Sequence, residues 1–300
     1  MNSSRFQFGP SEARCADALV AMALAEDLGQ AGDITSAATI PSQAIGTARF
    51  VARAPGVLAG LPVIVRLLDQ FQLASDWKPH RSDGHELERG TVIAELGGSL
   101  RSILALERTA LNFLQRLSGI ATLTARFVAA VQGTRAVILD TRKTTPGWRT
   151  LEKYAVRCGG GRNHRMGLFD AVLIKDNHLA VLQSQGRDGA IAAAIAAARA
   201  HAPGAAFIEV EVDSLEQFEQ ALACKPDIIL LDNLGPETLA SAVRRRDEVA
   251  PEIKLEASGG VNIETVAALA RTGVDRISAG ALTHSAPALD IALDFQTGPS

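Results

Sequence analysis

Between residues 138 and 178 the chain reads ILDTRKTTPGWRTLEKYAVRCGGGRNHRMGLFDAVLIKDNH, which sets Arg142, Lys143, Arg149, Lys153, Arg157, Arg162, Arg165 and Lys175 against Asp140, Glu152, Asp170 and Asp176. The segment is net positive by four in a chain whose formal charge is -3. Arg149, Lys153 and Arg157 recur at helical spacing and read as an ordinary solvated face. The others are less easily dismissed. Arg142 and Lys143 directly follow the apolar run AVILD, Lys175 closes AVLIK, and Arg162, His164 and Arg165 follow three glycines that permit close backbone approach to a ligand. Cations gathered on one rim repel one another unless an anion sits among them, so a multiply charged anion is the expected partner. The arginine fork suits planar carboxylates, each charge-assisted hydrogen bond contributing roughly 1.5 to 3 kcal/mol. Lysine offers a compact charge for phosphate.

Further along, the sign changes. In IEVEVD, Glu209, Glu211 and Asp213 share one strand face and Val210 and Val212 take the other, and Asp232 ends DIILLD. For Glu209 or Asp213 alone the bland reading is a half-exposed strand. Glu211 and Asp232, on neighbouring strands, can hold magnesium or sugar hydroxyls, because magnesium is usually bound by one or two carboxylates plus substrate phosphates. ASGGVN and ISAGALTH each place small residues after a strand and before a helix, where backbone N–H groups bind phosphate. The chemistry implied is that of a phosphorylated sugar carrying a magnesium-bound pyrophosphate, with an acidic co-substrate.

The elements that must position these residues alternate. AVILD, AVLIK, AFIEVEV, DIILLD, IKLEAS and VDRISAG are separated by helical stretches such as SLEQFEQALACK, where Ser214 and Gln217 make a capping box, and NIETVAALARTG, which Gly273 ends. Such alternation implies parallel strands with helical crossovers, in a barrel or an open doubly wound sheet. A barrel is favoured, since no GxGxxG follows the first strand and polar residues end many strands rather than one switch point. The first hundred residues differ: a helix near 14–28, the strand TARFVAR, a turn at Pro55-Gly56, a helix after Pro62, and strands around Asp83-Gly84 and in TVIAELGG, suggesting a separate α+β unit. Residues 101–131 read as helices joining the parts, with a break at Gly119. The expected division is residues 1–118 for the first unit, which the C-terminal tail is free to join, and 119–300 for the barrel.

Composition bounds the reading. Three hundred residues with 47% hydrophobic content bury a sizeable core. A pI near 6.1 gives no general field for nucleic acid or an anionic membrane. Cys15, Cys158 and Cys224 lack CxxC pairing, which points to free thiols in a reducing compartment. ALVAMALA, between Asp17 and Glu26-Asp27, reads as an amphipathic helix rather than a signal core, and no apolar run approaches the ~18 residues of a membrane span. The expectation is a soluble cytoplasmic protein. A competing reading makes Lys175 the Schiff-base lysine of an aldolase, which needs an apolar or cation-crowded pocket. A non-catalytic binding module would not need both charge clusters.

DTRKTTPG, KYAVRCGGGRNHRMGLFDAVLIKDNH, EVEVDS, LLDN, EASGG and ISAGALTH, with ALAEDLGQAGDITS and LERTALNFLQRLSGIAT upstream, resemble quinolinate phosphoribosyltransferase, the carboxylating nicotinate-nucleotide pyrophosphorylase family. The resemblance runs in order over nearly the whole chain, although the first eleven residues and DWKPHRSDGHE carry none of it. It implies an N-terminal α/β sandwich, a C-terminal incomplete (β/α) barrel, and a homodimer with shared active sites. The implied reaction joins quinolinate and phosphoribosyl pyrophosphate into nicotinate mononucleotide, pyrophosphate and CO2 in NAD biosynthesis, with Mg2+ and no organic cofactor. By motif, Arg108 would reach in from the partner subunit, Arg142, His164, Arg165 and Lys175 with Thr141 would grip the two carboxylates, and Lys143 would face both substrates near the pyrophosphate. Glu211 and Asp232 would serve the ribose hydroxyls and the metal, and Ser258, Gly259, Gly260, Ala279 and Gly280 the 5'-phosphate. The intact RNHR and IKDNH distinguish the chain from a molybdenum-associated paralogue, and a nicotinate phosphoribosyltransferase, handling one carboxylate fewer, would need fewer cations.

Overall fold

A computed structural model describes residues 6–184 and 189–296. The chain forms two compact units that interleave in sequence: one runs to Ala125 and takes in Thr144–Gly160 and the stretch from Leu282 onward, and the other comprises Arg126–Lys143 and Gly161–Ala281.

In the first unit the strands are β1 (Ile45–Ala52), β2 (Gly56–Val57), β3 (Trp77–Pro79), β4 (Glu86–Leu87) and β5 (Val92–Ser99). The main sheet has the order β12-β1-β5-β3, where β12 is Ile291–Phe295 near the C-terminus. β12 pairs antiparallel with β1 in the register Phe50↔Leu293. Alternation fixes that register, because Ala48, Phe50 and Ala52 on β1 are fully buried. Helix Pro10–Leu28 starts with Pro10 in its first turn, where a missing N–H costs nothing, and Gly9 N–H donates to Glu12 Oε2 at 3.1 Å. Helix Leu61–Gln70 buries Leu61, Val63, Ile64, Leu67 and Leu68. Its N-terminus is capped from a distance: Gly60 N and Leu61 N donate to the Asp83 carboxylate at 2.8 and 3.1 Å.

Two expectations change here. Residues 100–130 form one unbroken helix, Leu100–Ala130. Gly119 is not a break; a Cβ there would stand 2.1 Å from Pro287 O, so the glycine lets another backbone lie against the helix. Nor are Arg149, Lys153 and Arg157 a solvated face of helix Arg149–Cys158. Lys153 is fully buried and Arg157 pairs with Glu12 at 2.8 Å. Helical spacing put them on one side correctly, but that side faces protein.

The second unit holds β6 (Val137–Leu139), β7 (Val172–Ile174), β8 (Ile208–Val212), β9 (Ile228–Asp232), β10 (Lys254–Ser258) and β11 (Arg276–Ser278), all parallel, in the order β6-β11-β10-β9-β8-β7. Each strand pairs with the next in sequence except β6 with β7, so the ring is open at that seam: an incomplete barrel, as expected. The seam edge of β6 is covered at Arg162, just after the triple glycine. Arg162 N donates to Ile138 O at 2.8 Å and Arg162 O accepts from Asp140 N at 3.3 Å, forming a parallel bridge between Leu139 and Arg162. Val210, Val212, Ile229, Leu231, Leu255, Ala257 and Ile277 are almost wholly buried on one face. The opposite face carries Glu209, Glu211, Asp232, Glu256, Ser258 and Arg276, on a pleat in which Glu211 stands beside Leu230, Leu230 beside Glu256 and Glu256 beside Arg276. Ser214 caps helix Leu215–Cys224 by accepting Gln217 N–H, while Gln217 Oε1 reaches back to Asp213 N at 3.2 Å.

Candidate active site

The strand ends of the second unit gather most of the singled-out residues. After β6, Thr141 Oγ1 accepts from Lys143 N at 3.0 Å and turns the chain so that the Lys143 side chain is exposed. Asp140 is fully buried and organises the neighbouring loop: its carboxylate accepts Asn163 Nδ2 at 2.5 Å and His164 N at 2.9 Å. The loop therefore enters the ring interior at His164 and Arg165, each 8% exposed, whereas Arg162 points out and is exposed.

Arg165 Nη1 donates to Ala171 O at 3.2 Å, at the start of β7. Burial first, and the Arg142 guanidinium second, pull Arg165 below the ordinary arginine value, with Glu209 and Asp170 opposing them. Arginine stays protonated regardless, so the Arg142 charge acts unfavourably on that of Arg165. An anion placed between two such cations would relieve that repulsion. Asp170 shapes the turn between them and β7, accepting Met166 N at 2.7 Å and Gly167 N at 3.0 Å.

Lys175 Nζ lies 2.7 Å from Glu211 Oε2, with side chains 43% and 14% exposed. This is neither the apolar nor the cation-crowded pocket that a Schiff-base lysine needs. Glu211 and Asp232 line one cavity of about 400 Å³ together with Asp176, Asp213 and Gln217. By register Asp232 stands beyond Glu211, since Val212 pairs with Leu231. Both offer carboxylate oxygens, the donor type magnesium takes; Glu211 shares its charge with Lys175, and Asp232 accepts the Asn233 amide at 2.6 Å.

On the next strands, Ser258 pairs with Asp232 and its carbonyl accepts Asn233 N at 2.9 Å. Gly259 has φ +91°, and a Cβ there would meet Asn233 Oδ1 at 2.2 Å; Gly260 has φ +58° and open space before it. Ala279 N donates to Leu139 O at 2.9 Å, tying the AGA turn to β6, and Gly280 follows half-buried. Arg108 belongs to the other unit, where it is exposed on helix Leu100–Ala130.

Beneath the arginines lies a layer that strand-by-strand reading left out. Glu209 and Glu256 are both fully buried; Glu209 is not the half-exposed residue its sequence suggests. His164 Nε2 is 2.9 Å from Glu209 Oε2 and 3.5 Å from Glu256 Oε1. Arg276 Nε holds the other oxygen of Glu256 at 2.6 Å and caps the Phe207 ring at 5.6 Å. Burial, and then Glu256, push the Glu209 carboxyl above the usual range against His164 and Arg276. The signal was present in IEVEV, which places Glu209 on the face of Glu211 but about 6.6 Å deeper.

Comparisons with known proteins identify the family. The family model for the quinolinate phosphoribosyl transferase N-terminal domain matches residues 33–118, and that for its C-terminal domain residues 120–294. A nicotinate-nucleotide pyrophosphorylase [carboxylating] from Mycobacterium leprae is 47% identical over 91% of this chain and 94% of its own, and a probable one from Bacillus subtilis is 44% identical over 90% and 89%. The solved nicotinate-nucleotide pyrophosphorylase of Francisella tularensis superposes with a TM-score of 0.85 at 39% identity, covering 94% of this chain and 96% of that one. With both halves matched in order and relatives aligned end to end, the chain belongs to the quinolinate phosphoribosyltransferase family.

Proposed function

We propose that the chain transfers the phosphoribosyl group of phosphoribosyl pyrophosphate to quinolinate and decarboxylates the product, giving nicotinate mononucleotide, pyrophosphate and CO2 in NAD biosynthesis. The observation that carries this reading is the Lys175–Glu211 contact, Nζ to Oε2 at 2.7 Å, beside a cavity that Glu211 and Asp232 line together. Family membership and the names of the relatives support the same reaction.

In this reading Arg142, Arg165 and Lys175, with the Thr141 hydroxyl, take the two ring carboxylates, and His164 stands behind Arg165. Fixing the ring sets the distance and angle of its nitrogen to the anomeric carbon, positioning that supplies several kcal/mol of the barrier. Departure of pyrophosphate leaves the ribose cationic, and Glu211 and Asp232 stabilise that charge while gripping the hydroxyls. Lys143, exposed at the mouth, holds the departing pyrophosphate. Ser258, Gly259, Gly260, Ala279 and Gly280 offer backbone N–H groups to the 5'-phosphate. Glu211 and Asp232 are also the residues that would hold magnesium, which when bound adds positive charge at the leaving group. Once the ring nitrogen is quaternised, the adjacent carboxylate leaves as CO2 and the ring carbanion takes up a proton.

Arg108 completes the site from the neighbouring subunit of a homodimer in this reading, and the working compartment is the cytoplasm. Among the described residues no helix is long and apolar enough to cross a membrane. The test is incubation of the purified protein with quinolinate, phosphoribosyl pyrophosphate and magnesium: nicotinate mononucleotide and CO2 form in equal amounts, and formation of neither overturns the reading.

A further inference from the structure

The buried layer under the arginines has a directional hydrogen-bond order. Arg165 N, which can only donate, is 2.7 Å from His164 Nδ1, so Nδ1 is the acceptor. A neutral imidazole carries one N–H; the network therefore assigns it to Nε2, which faces Glu209 Oε2 at 2.9 Å. Of the two carboxylates near Nε2, Glu256 is already engaged by Arg276 at 2.6 Å and stands farther off at 3.5 Å. Phe207 packs edge-on against the imidazole with ring centroids 5.6 Å apart, which limits its rotation. The His164 peptide N–H is separately tied to Asp140.

We propose that Glu209 is a positioning residue acting through His164 on Arg165: by accepting the Nε2 proton it holds the imidazole in the tautomer whose Nδ1 takes the Arg165 peptide N–H, and so fixes the arginine that receives a quinolinate carboxylate. The proposal rests on the reading of Arg165 as a carboxylate clamp. It gives His164 a role that needs no contact with substrate, because each ring nitrogen faces a protein partner 2.7 or 2.9 Å away. A second carboxylate, Glu256, with Arg276 completes the layer without taking over that bond. Glu209 also faces Arg165 electrostatically, a contribution that depends on its charge and not on the tautomer, and the choice of variants separates the two.

The first measurement needs no substrate. In the 15N-labelled full-length protein, with the His164 signals assigned by comparison with His164→Asn, the proton is expected on Nε2 and Nδ1 is expected to be unprotonated; a proton on Nδ1 overturns the relay. The second is kinetic. Glu209→Leu is expected to raise KM for quinolinate about tenfold, the size of one lost charge-assisted contact, with kcat and the KM for phosphoribosyl pyrophosphate changed much less. Glu209→Gln, whose amide oxygen still accepts the Nε2 proton, is expected to recover most of that loss. A folded Glu209→Leu with wild-type KM, or a Glu209→Gln with a tenfold or greater rise in KM, overturns the proposal. Should the leucine variant fail to fold, the glutamine variant and the wild-type spectrum decide it. Arg165→Ala distinguishes the two levels: unchanged quinolinate KM there defeats the clamp itself, whereas a raised KM there with an unaffected Glu209→Leu defeats only the relay.

Discussion

Lys175 and Glu211 stand side by side across the β7–β8 pair, Nζ to Oε2 at 2.7 Å, because the parallel register sets Ile174 against Val210 and the next residues follow suit. In the proposed reading, a cation of the quinolinate grip and a carboxylate of the ribose grip thus neutralise one another before substrate arrives. Substrate binding would then redistribute that pair rather than recruit a free lysine.

Removing the cation should therefore act on binding rather than folding. The pair is partly exposed on the lysine side, and such pairs contribute about 0–1 kcal/mol to stability. Lys175→Ala and Arg142→Ala are each expected to lose tenfold or more in kcat/KM for quinolinate while melting within a few degrees of wild type. Steady-state kinetics with a thermal melt on the same preparation checks both; wild-type turnover by Arg142→Ala counts against the clamp.

The turn proposed to hold the 5'-phosphate offers an internal control between adjacent glycines. Gly259 combines φ +91° with a Cβ position 2.2 Å from Asn233 Oδ1, while Gly260, at φ +58°, has nothing near it. Gly260→Ala incurs only the left-handed backbone cost of about 1–2 kcal/mol. Gly259→Ala must also displace Asn233 and the turn it anchors. The KM for phosphoribosyl pyrophosphate is expected to rise more in Gly259→Ala than in Gly260→Ala, and the melting temperature to fall further. The reverse order in both measurements removes this turn from the phosphate site.

Much of this was legible in the chain, for physical reasons that differ by element. The barrel strands declare themselves because a parallel strand buried on one face and closed by a polar residue at its end has few other uses, and AVILD, AVLIK and DIILLD do both. Pairing at long range is not written locally. IALDF at the C-terminus alternates like many loops do, and only the structure shows β12 lying on β1. Helical spacing located the Arg149, Lys153, Arg157 stripe without revealing that Glu12, far upstream, meets it. Glu209 taken singly reads as a half-exposed strand residue, whereas its burial depends on His164, Glu256 and Arg276 arriving from three other places in the chain.

Gly119 carries a further prediction. Its sequence neighbours are helix formers, so propensity alone says alanine improves the helix by about 1 kcal/mol. The structure reverses the sign, because the added methyl would sit 2.1 Å from Pro287 O and 3.0 Å from Ala288 Cα. Backbone cannot swing away as a side chain can, and overpacking of this kind costs roughly 1–3 kcal/mol. Chemical denaturation of Gly119→Ala is expected to show a lower midpoint; a higher midpoint restores the reading of Gly119 as a weak point of the helix.

Asp83 gives a pH dependence with a definite sign. It accepts Gly60 N, Leu61 N and, at 2.7 Å, the Tyr154 hydroxyl, yet desolvation of the carboxylate outweighs these donors and raises its carboxyl above the ordinary 3.8. Between 3.8 and the raised native value the folded protein holds a proton that the unfolded chain has released. Stability attributable to this group therefore falls as pH rises through that window and is level above it. The stability of wild type minus that of Asp83→Asn is expected to fall as pH rises from the acid end, since the amide does not titrate. A difference that rises with pH instead means that the three donors outweigh burial.

The assembly question turns on Arg108, which is exposed on helix Leu100–Ala130 and lies in a different unit from every other proposed quinolinate contact. If each site combines Arg108 of one subunit with Lys143 of the other, Arg108→Ala and Lys143→Ala chains are both inactive alone but complement when mixed. A heterodimer then carries one site with both wild-type residues and one with neither. Random exchange makes half of the dimers mixed, so about a quarter of wild-type activity is expected to return in a symmetric two-site dimer. The recovery should follow the rate of subunit exchange, and covalently linked homodimers of either variant should stay silent. No recovery after demonstrated exchange places Arg108 and Lys143 in the service of the same chain and withdraws the shared-site reading.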